Sequence, residues 1–165
     1  MSATPAPPPV RPSLGPTSTP AVTASLEPAE LAALQEVLAG EHAIVWAYGT
    51  LGPRLGGTDE ERARSLLATH QVLREVARAQ VLAAGGRPVA AEAAYTLPLQ
   101  PADPATAAQL AQLVEERLAE VYADLVAAAV DQQLRAQGVG GVVDATLRAA
   151  SWGMTETAFP GLPER

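Results

Sequence analysis

The chain contains no cysteine and no lysine. Without cysteine there are no disulfides, no thiolate metal sites and no lipid-anchored N-terminal cysteine. Without lysine there is no phosphate-cradling loop, because the Gly-Val-Gly-Gly run at 138–141 has no P-loop lysine to complete it. Histidine is nearly absent too, with only His42 and His70, and no Ser-His-Asp arrangement stands out. No apolar run reaches the roughly 18 residues that a membrane-spanning helix needs. The N-terminus, MSATPAPPPVRPSLGPTSTP, has neither a charged leading region nor an apolar stretch. It does not read as a secretory signal, and the expected location is cytoplasmic.

What charge there is falls on one part of the chain. Residues 1–25 carry a single charge, Arg11, whereas the remainder holds 18 acidic and 10 basic side chains, a balance of −8. An acidic, lysine-free body repels nucleic-acid phosphates and anionic membranes, so neither is an expected partner. Residues 1–25 are rich in Pro, Ser, Thr and Ala. They cannot bury enough apolar surface to offset the entropy of ordering, and they read as a disordered tail. Residues 26–165 are long enough for one domain with a real core.

Four helical segments fill that domain. The first starts near Pro28 and runs to about Thr50. Leu31, Leu34, Leu38, Glu41, Val45 and Tyr48 share one stripe of it. In the second, Thr58 and Glu61 have the spacing of a capping box, and Ala63, Leu66, His70, Leu73, Ala77 and Val81 form the inward stripe. Asp103-Pro104 opens the third, which runs to about Ala129 with Leu110, Val114, Leu118, Val121, Tyr122 and Leu125 inward. The fourth carries Leu134, Val142, Ala145, Ala149 and Trp152. Gly138, Gly140 and Gly141 interrupt it, and at about 1 kcal/mol each they predict a kink or break.

The connection RPVAAEAAYTLPLQPA, residues 87–102, is the longest. Its prolines forbid a regular helix. Sixteen extended residues reach about 50 Å, and a 25-residue helix is only about 38 Å long. The segment can therefore cross the full length of a bundle, which an up-down-down-up order requires.

Polar residues on apolar stripes are the chemical signal. Glu41 and His70 sit at core positions, and Glu115 lies at the edge of the third helix's stripe. A buried carboxylate costs several kcal/mol unless it finds a partner. Glu41, His70 and Glu115 are therefore expected either to form a structural polar cluster or to hold a metal ion, or Glu41 bonds the loop or a tyrosine. Glu92 and Tyr95, with Tyr48 and Tyr122, are candidates for anchoring the crossover. His42 points away from Glu41, Trp46 and Trp152 read as packing, and Asp144 with Arg148 reads as an exposed i,i+4 pair.

Ala39-Gly40-Glu41-His42-Ala43, Trp46-Ala47-Tyr48-Gly49, the crossover Pro88–Pro98, Glu115 with Tyr122, and Phe159-Pro160-Gly161 together resemble a ferritin-like family of unknown function from high-GC bacteria. The resemblance covers about residues 28–162, and the crossover is its most specific piece. It implies an all-α, ferritin-like antiparallel four-helix bundle with a long crossover between helices 2 and 3. Catalytic members of the wider superfamily hold two irons with a Glu from each of two helices and Glu-x-x-His from each of the others. Carried over, Glu41 and Glu115 match glutamates and His70 matches a histidine. Leu67 stands where His70's glutamate belongs, and the fourth helix has neither Glu nor His. The resemblance thus implies a degenerate di-iron site without cofactor. The first expectation is a non-catalytic structural or interaction module, with self-association through a bundle face. The alternative is a mononuclear Fe, Mn or Zn protein on Glu41, His70 and Glu115 with oxidoreductase activity. A weaker third is a small-molecule pocket under the crossover near Glu92 and Tyr95.

Overall fold

The computed structural model describes residues 26–153. The expected tail at 1–25 and the Phe159-Pro160-Gly161 match lie outside those residues. The described chain is all-helical, with α1 (Pro28–Leu51), α2 (Gly57–Ala83), α3 (Pro104–Ala128) and α4 (Gln132–Ser151). A short 3-10 turn, Gly52–Arg54, links α1 to α2. No helix among the described residues is long and apolar enough to cross a membrane.

The hydrogen bonds fix the order of the helices. Glu30, in the first turn of α1, accepts from the backbone N–H groups of Val130 and Asp131 at 2.6 Å each. The start of α1 therefore meets the end of α3, and the two run antiparallel. Arg62 near the start of α2 donates to the carbonyl of Ser151 at the end of α4 (2.8 Å), while Gln80 and Gln137 exchange side-chain bonds at the other end. So α2 and α4 are also antiparallel. The result is an up-down-down-up bundle, with residues 84–103 as the crossover that runs its length. The helices α1 and α3 form the central seam, and each also packs on one outer helix, α2 on α1 and α4 on α3.

Two local expectations are corrected. Thr58 does not cap α2; the cap position is Gly56, two residues earlier, and no side chain caps the helix. Gly57 has φ +57°, a conformation glycine adopts freely, so the chain turns into the helix before Thr58 is reached. Nor does α4 break at its glycines, for it is continuous from Gln132 to Ser151. Gly138 and Gly141 admit a close neighbour instead. A Cβ on Gly138 would lie 2.8 Å from Val126 Cγ2, and one on Gly141 would lie 2.3 Å from the Tyr122 ring. Close packing on α3 outweighs the intrinsic cost of glycine in a helix.

Candidate functional site

Glu41 and Tyr48 lie seven residues apart on α1, and Glu115 and Tyr122 seven apart on α3. Two turns separate each pair, about 10.5 Å along the axis. Because α1 and α3 are antiparallel, each glutamate faces the other helix's tyrosine. Tyr122 donates its hydroxyl to Glu41 Oε1 and Tyr48 donates to Glu115 Oε1, both at 2.9 Å. From α2, His70 inserts between the two carboxylates. Its Nδ1 is 2.9 Å from Glu41 Oε2 and its Nε2 is 2.9 Å from Glu115 Oε1. Glu41, His70 and Glu115 are each 0% exposed. The imidazole also stacks on Tyr48, with ring centroids 5.5 Å apart.

α4 supplies the members that the sequence did not reveal. Arg148 Nε donates to Glu115 Oε2 at 2.8 Å, with the side chain only 13% exposed. Trp152 Nε1 donates to the Tyr48 hydroxyl at 3.0 Å. Arg148 is thus no surface partner of Asp144. It lies on the same stripe as Ala145 and Trp152, three and four residues away, where its side chain is largely buried and its head meets Glu115. The signal was available in the charge balance: two buried glutamates and one histidine leave a deficit of one cation, and Arg148 is the only arginine on that stripe.

His70 faces a carboxylate through each ring nitrogen, so both must donate and the ring is an imidazolium. Burial works against that charge, but the hydrogen bonds to Glu115 and Glu41 and their negative charges outweigh it and raise the pKa. Burial also opposes the charge on Glu115, yet His70 and then Arg148 hold its pKa below the ordinary range. Burial and the neighbouring carboxylates push Tyr48 and Tyr122 strongly up, so both stay protonated donors. Two carboxylates, one imidazolium and one guanidinium sum to zero charge.

The signs give a pH window. A raised His70 pKa adds stability that is complete below the unfolded value of 6.5 and fades as pH rises through the folded value. A lowered Glu115 pKa adds stability that is complete above 4.5 and is lost as pH falls through the folded value. Both contributions are therefore whole between about pH 4.5 and 6.5. Denaturant unfolding across pH should show a plateau there with a decline on each side. Nitrogen-15 NMR should find the His70 ring titrating with a midpoint above the ordinary 6.5, and a midpoint at or below 6.5 would contradict the imidazolium.

The remaining candidates fall elsewhere. Tyr48 and Tyr122 do not anchor the crossover; their hydroxyls are committed to the glutamates. Glu92 is exposed, and its backbone N–H donates to the Tyr95 hydroxyl at 2.9 Å within the loop. The Tyr95 ring packs against Trp46 of α1, centroids 6.2 Å apart. The firmest hold on the crossover is Gln35, which donates to the Arg87 carbonyl (2.7 Å) and accepts from the Val89 N–H (2.9 Å). Its amide bonds the carbonyl and N–H of residues two apart on the crossover backbone, a role that residue type and spacing did not single out.

The donors do not suit metal ions. Both His70 nitrogens are committed to carboxylates, Arg148 holds the outer oxygen of Glu115, and Leu67 offers α2 no second ligand. Among the described residues no group of three or more His, Asp or Glu is arranged to hold a metal.

Residues 33–164 match the model of a family described as a domain of unknown function, DUF4439. The chain belongs to that family. No curated protein matches the sequence. Among solved structures, the DUF4439 chain is similar to the crystal structure of a conserved hypothetical protein from Mycobacterium tuberculosis. The TM-score is 0.73 at 27% identity, over 75% of this chain and 94% of the mycobacterial one.

Proposed function

We propose that this DUF4439 chain is a ferritin-like bundle that acts as a non-catalytic structural or interaction module. One observation carries the reading: the place where a di-iron bundle gathers its ligands holds a charge-neutral network of Glu41, His70, Glu115 and Arg148, with each carboxylate oxygen occupied and, among the described residues, Arg148 Nη2 left as the one buried donor without a partner. The ferritin-like assignment draws support from the up-down-down-up order, the crossover between α2 and α3, and the inward glutamates on α1 and α3.

Apolar side chains on the outer surface support the interaction role. Val139, Val143 and Leu147 repeat at four-residue spacing along α4, and Val72 and Val76 lie one turn apart on α2; all are exposed. A second copy of the chain fits such a face better than nucleic acid or membrane, given the net charge of −7. The module works in the cytoplasm on this reading.

The alternative of a single Fe, Mn or Zn on Glu41, His70 and Glu115 requires His70 to surrender a carboxylate and Arg148 to leave Glu115. No specific observation favours it. Elemental analysis of protein from its own host, beside a Glu41→Ala/His70→Ala variant, tests the two. Substoichiometric metal in both is expected. Stoichiometric Fe, Mn or Zn in the parent and its loss in the variant would overturn the non-metal reading.

A further inference from the structure

Beneath the crossover, between α1 and α3, lies a half-open cavity of about 140 Å³. None of the residues of the ion cluster lines it. Its walls are apolar, with Ile44 from α1, Val114 and Leu118 from α3 and Leu97 from the crossover. Gly40 lines one side, and its missing side chain lets Leu118 Cδ1 approach to 3.1 Å of where a Cβ would stand. One charged side chain borders the hollow, Arg117. Arg117 is exposed, and among the described residues it makes no ion pair.

The crossover wall is pre-formed. Gln35 grips its first residues through two backbone bonds, and Leu97 and Leu99 pack against the core near its end. Tyr95, packed on Trp46, forms part of the rim. A hollow that is already shaped costs a ligand little ordering.

We propose that this cavity binds a small monocarboxylate with an apolar body about the size of a benzene ring. The volume sets the size: a dry apolar cavity of about 150 Å³ accepts one benzene. The charge sets the head group. A lone guanidinium at the edge of an apolar hollow pairs with a carboxylate, whose planar oxygens match its forked donors. A dianionic phosphate would instead have to shed more hydration against apolar walls. This reading is independent of whether the ion cluster is structural.

Phenylacetate and its uncharged counterpart phenylacetamide are suitable probes for the full-length protein. Titration followed by backbone amide NMR should give saturable shifts confined to Gly40, Thr96, Leu97 and their neighbours. Trp46 fluorescence should change in step, because Tyr95 links that ring to the rim. Phenylacetate should bind about three- to fivefold more tightly than the amide, the gain expected of an exposed charge pair. Arg117→Gln should bring the two probes to equal affinity. Ala43→Leu, which fills the hollow from α1, should abolish binding of both while leaving the unligated melting temperature unchanged or higher. Arg117→Gln lies at an exposed position and decides the matter whatever Ala43→Leu does to folding. Absence of saturable shifts, equal binding of the two probes by the parent, or an undiminished preference for phenylacetate in Arg117→Gln would each overturn the proposal.

Discussion

His70→Ala should lower the stability of the bundle at pH 7 by about 4 kcal/mol or more, the scale for removing one partner of a buried ion pair. For a domain of this size that is a fall in melting temperature of about 15 °C. The substitution strips a partner from two carboxylates at once. Glu41 keeps Tyr122 and Glu115 keeps Tyr48 and Arg148, but the charge sum moves from zero to −1 inside the core. The vacated ring volume adds a cavity cost. Acid should relieve much of the loss. Once Glu115 protonates, the uncompensated charge disappears, so the gap between parent and variant should narrow in acid. Chemical denaturation at pH 7 and pH 4 measures both. A difference under about 1 kcal/mol at pH 7, typical of an exposed pair, would mean that the cluster does not carry its charges as described. Arg148→Ala should be non-additive with His70→Ala, because both cations act on Glu115.

The same charge accounting explains what was legible beforehand. The four helices and the crossover follow from the spacing of apolar residues and the placement of prolines. The stripes of α1, α2 and α3 each include a polar residue, and the cost of burying an unpartnered charge makes such a residue conspicuous. Arg148 was obscured because a local solution was on offer: Asp144 lies one turn away, and a pair at that spacing ordinarily faces water. Sequence spacing does not record which side of α4 meets α3. The capping of α2 failed for a similar reason. Thr58 and Glu61 have the right chemistry, but Gly57 bends the backbone first. Gln35 was invisible because its partners are backbone groups of a distant segment. In each case the missing quantity was a three-dimensional neighbour, not a residue preference.

The glycines of α4 show most sharply how neighbours override preference, and they allow a test in which adjacent positions respond with opposite sign. Replacing glycine by alanine inside a helix ordinarily stabilises it by about 1 kcal/mol. Gly140 faces open space, with nothing within 4 Å of an added Cβ. Gly140→Ala should therefore stabilise the protein by roughly 0.5–1 kcal/mol. Gly141→Ala should do the reverse. Its Cβ would meet Tyr122 at 2.3, 2.4 and 2.6 Å from ring atoms Cδ1, Cγ and Cε1. The ring has little freedom to move aside, since it is buried and its hydroxyl is tied to Glu41. Relief requires α4 to back away from α3 or Tyr122 to release Glu41, and either route leaves a void or an unsatisfied carboxylate oxygen. A loss of about 2–3 kcal/mol is expected, the range for overpacking a dense core. Unfolding curves of the two single variants, compared with the parent, decide the point. If both substitutions stabilise the protein, α4 does not approach Tyr122 closely, and Arg148 loses the helix placement that brings it to Glu115.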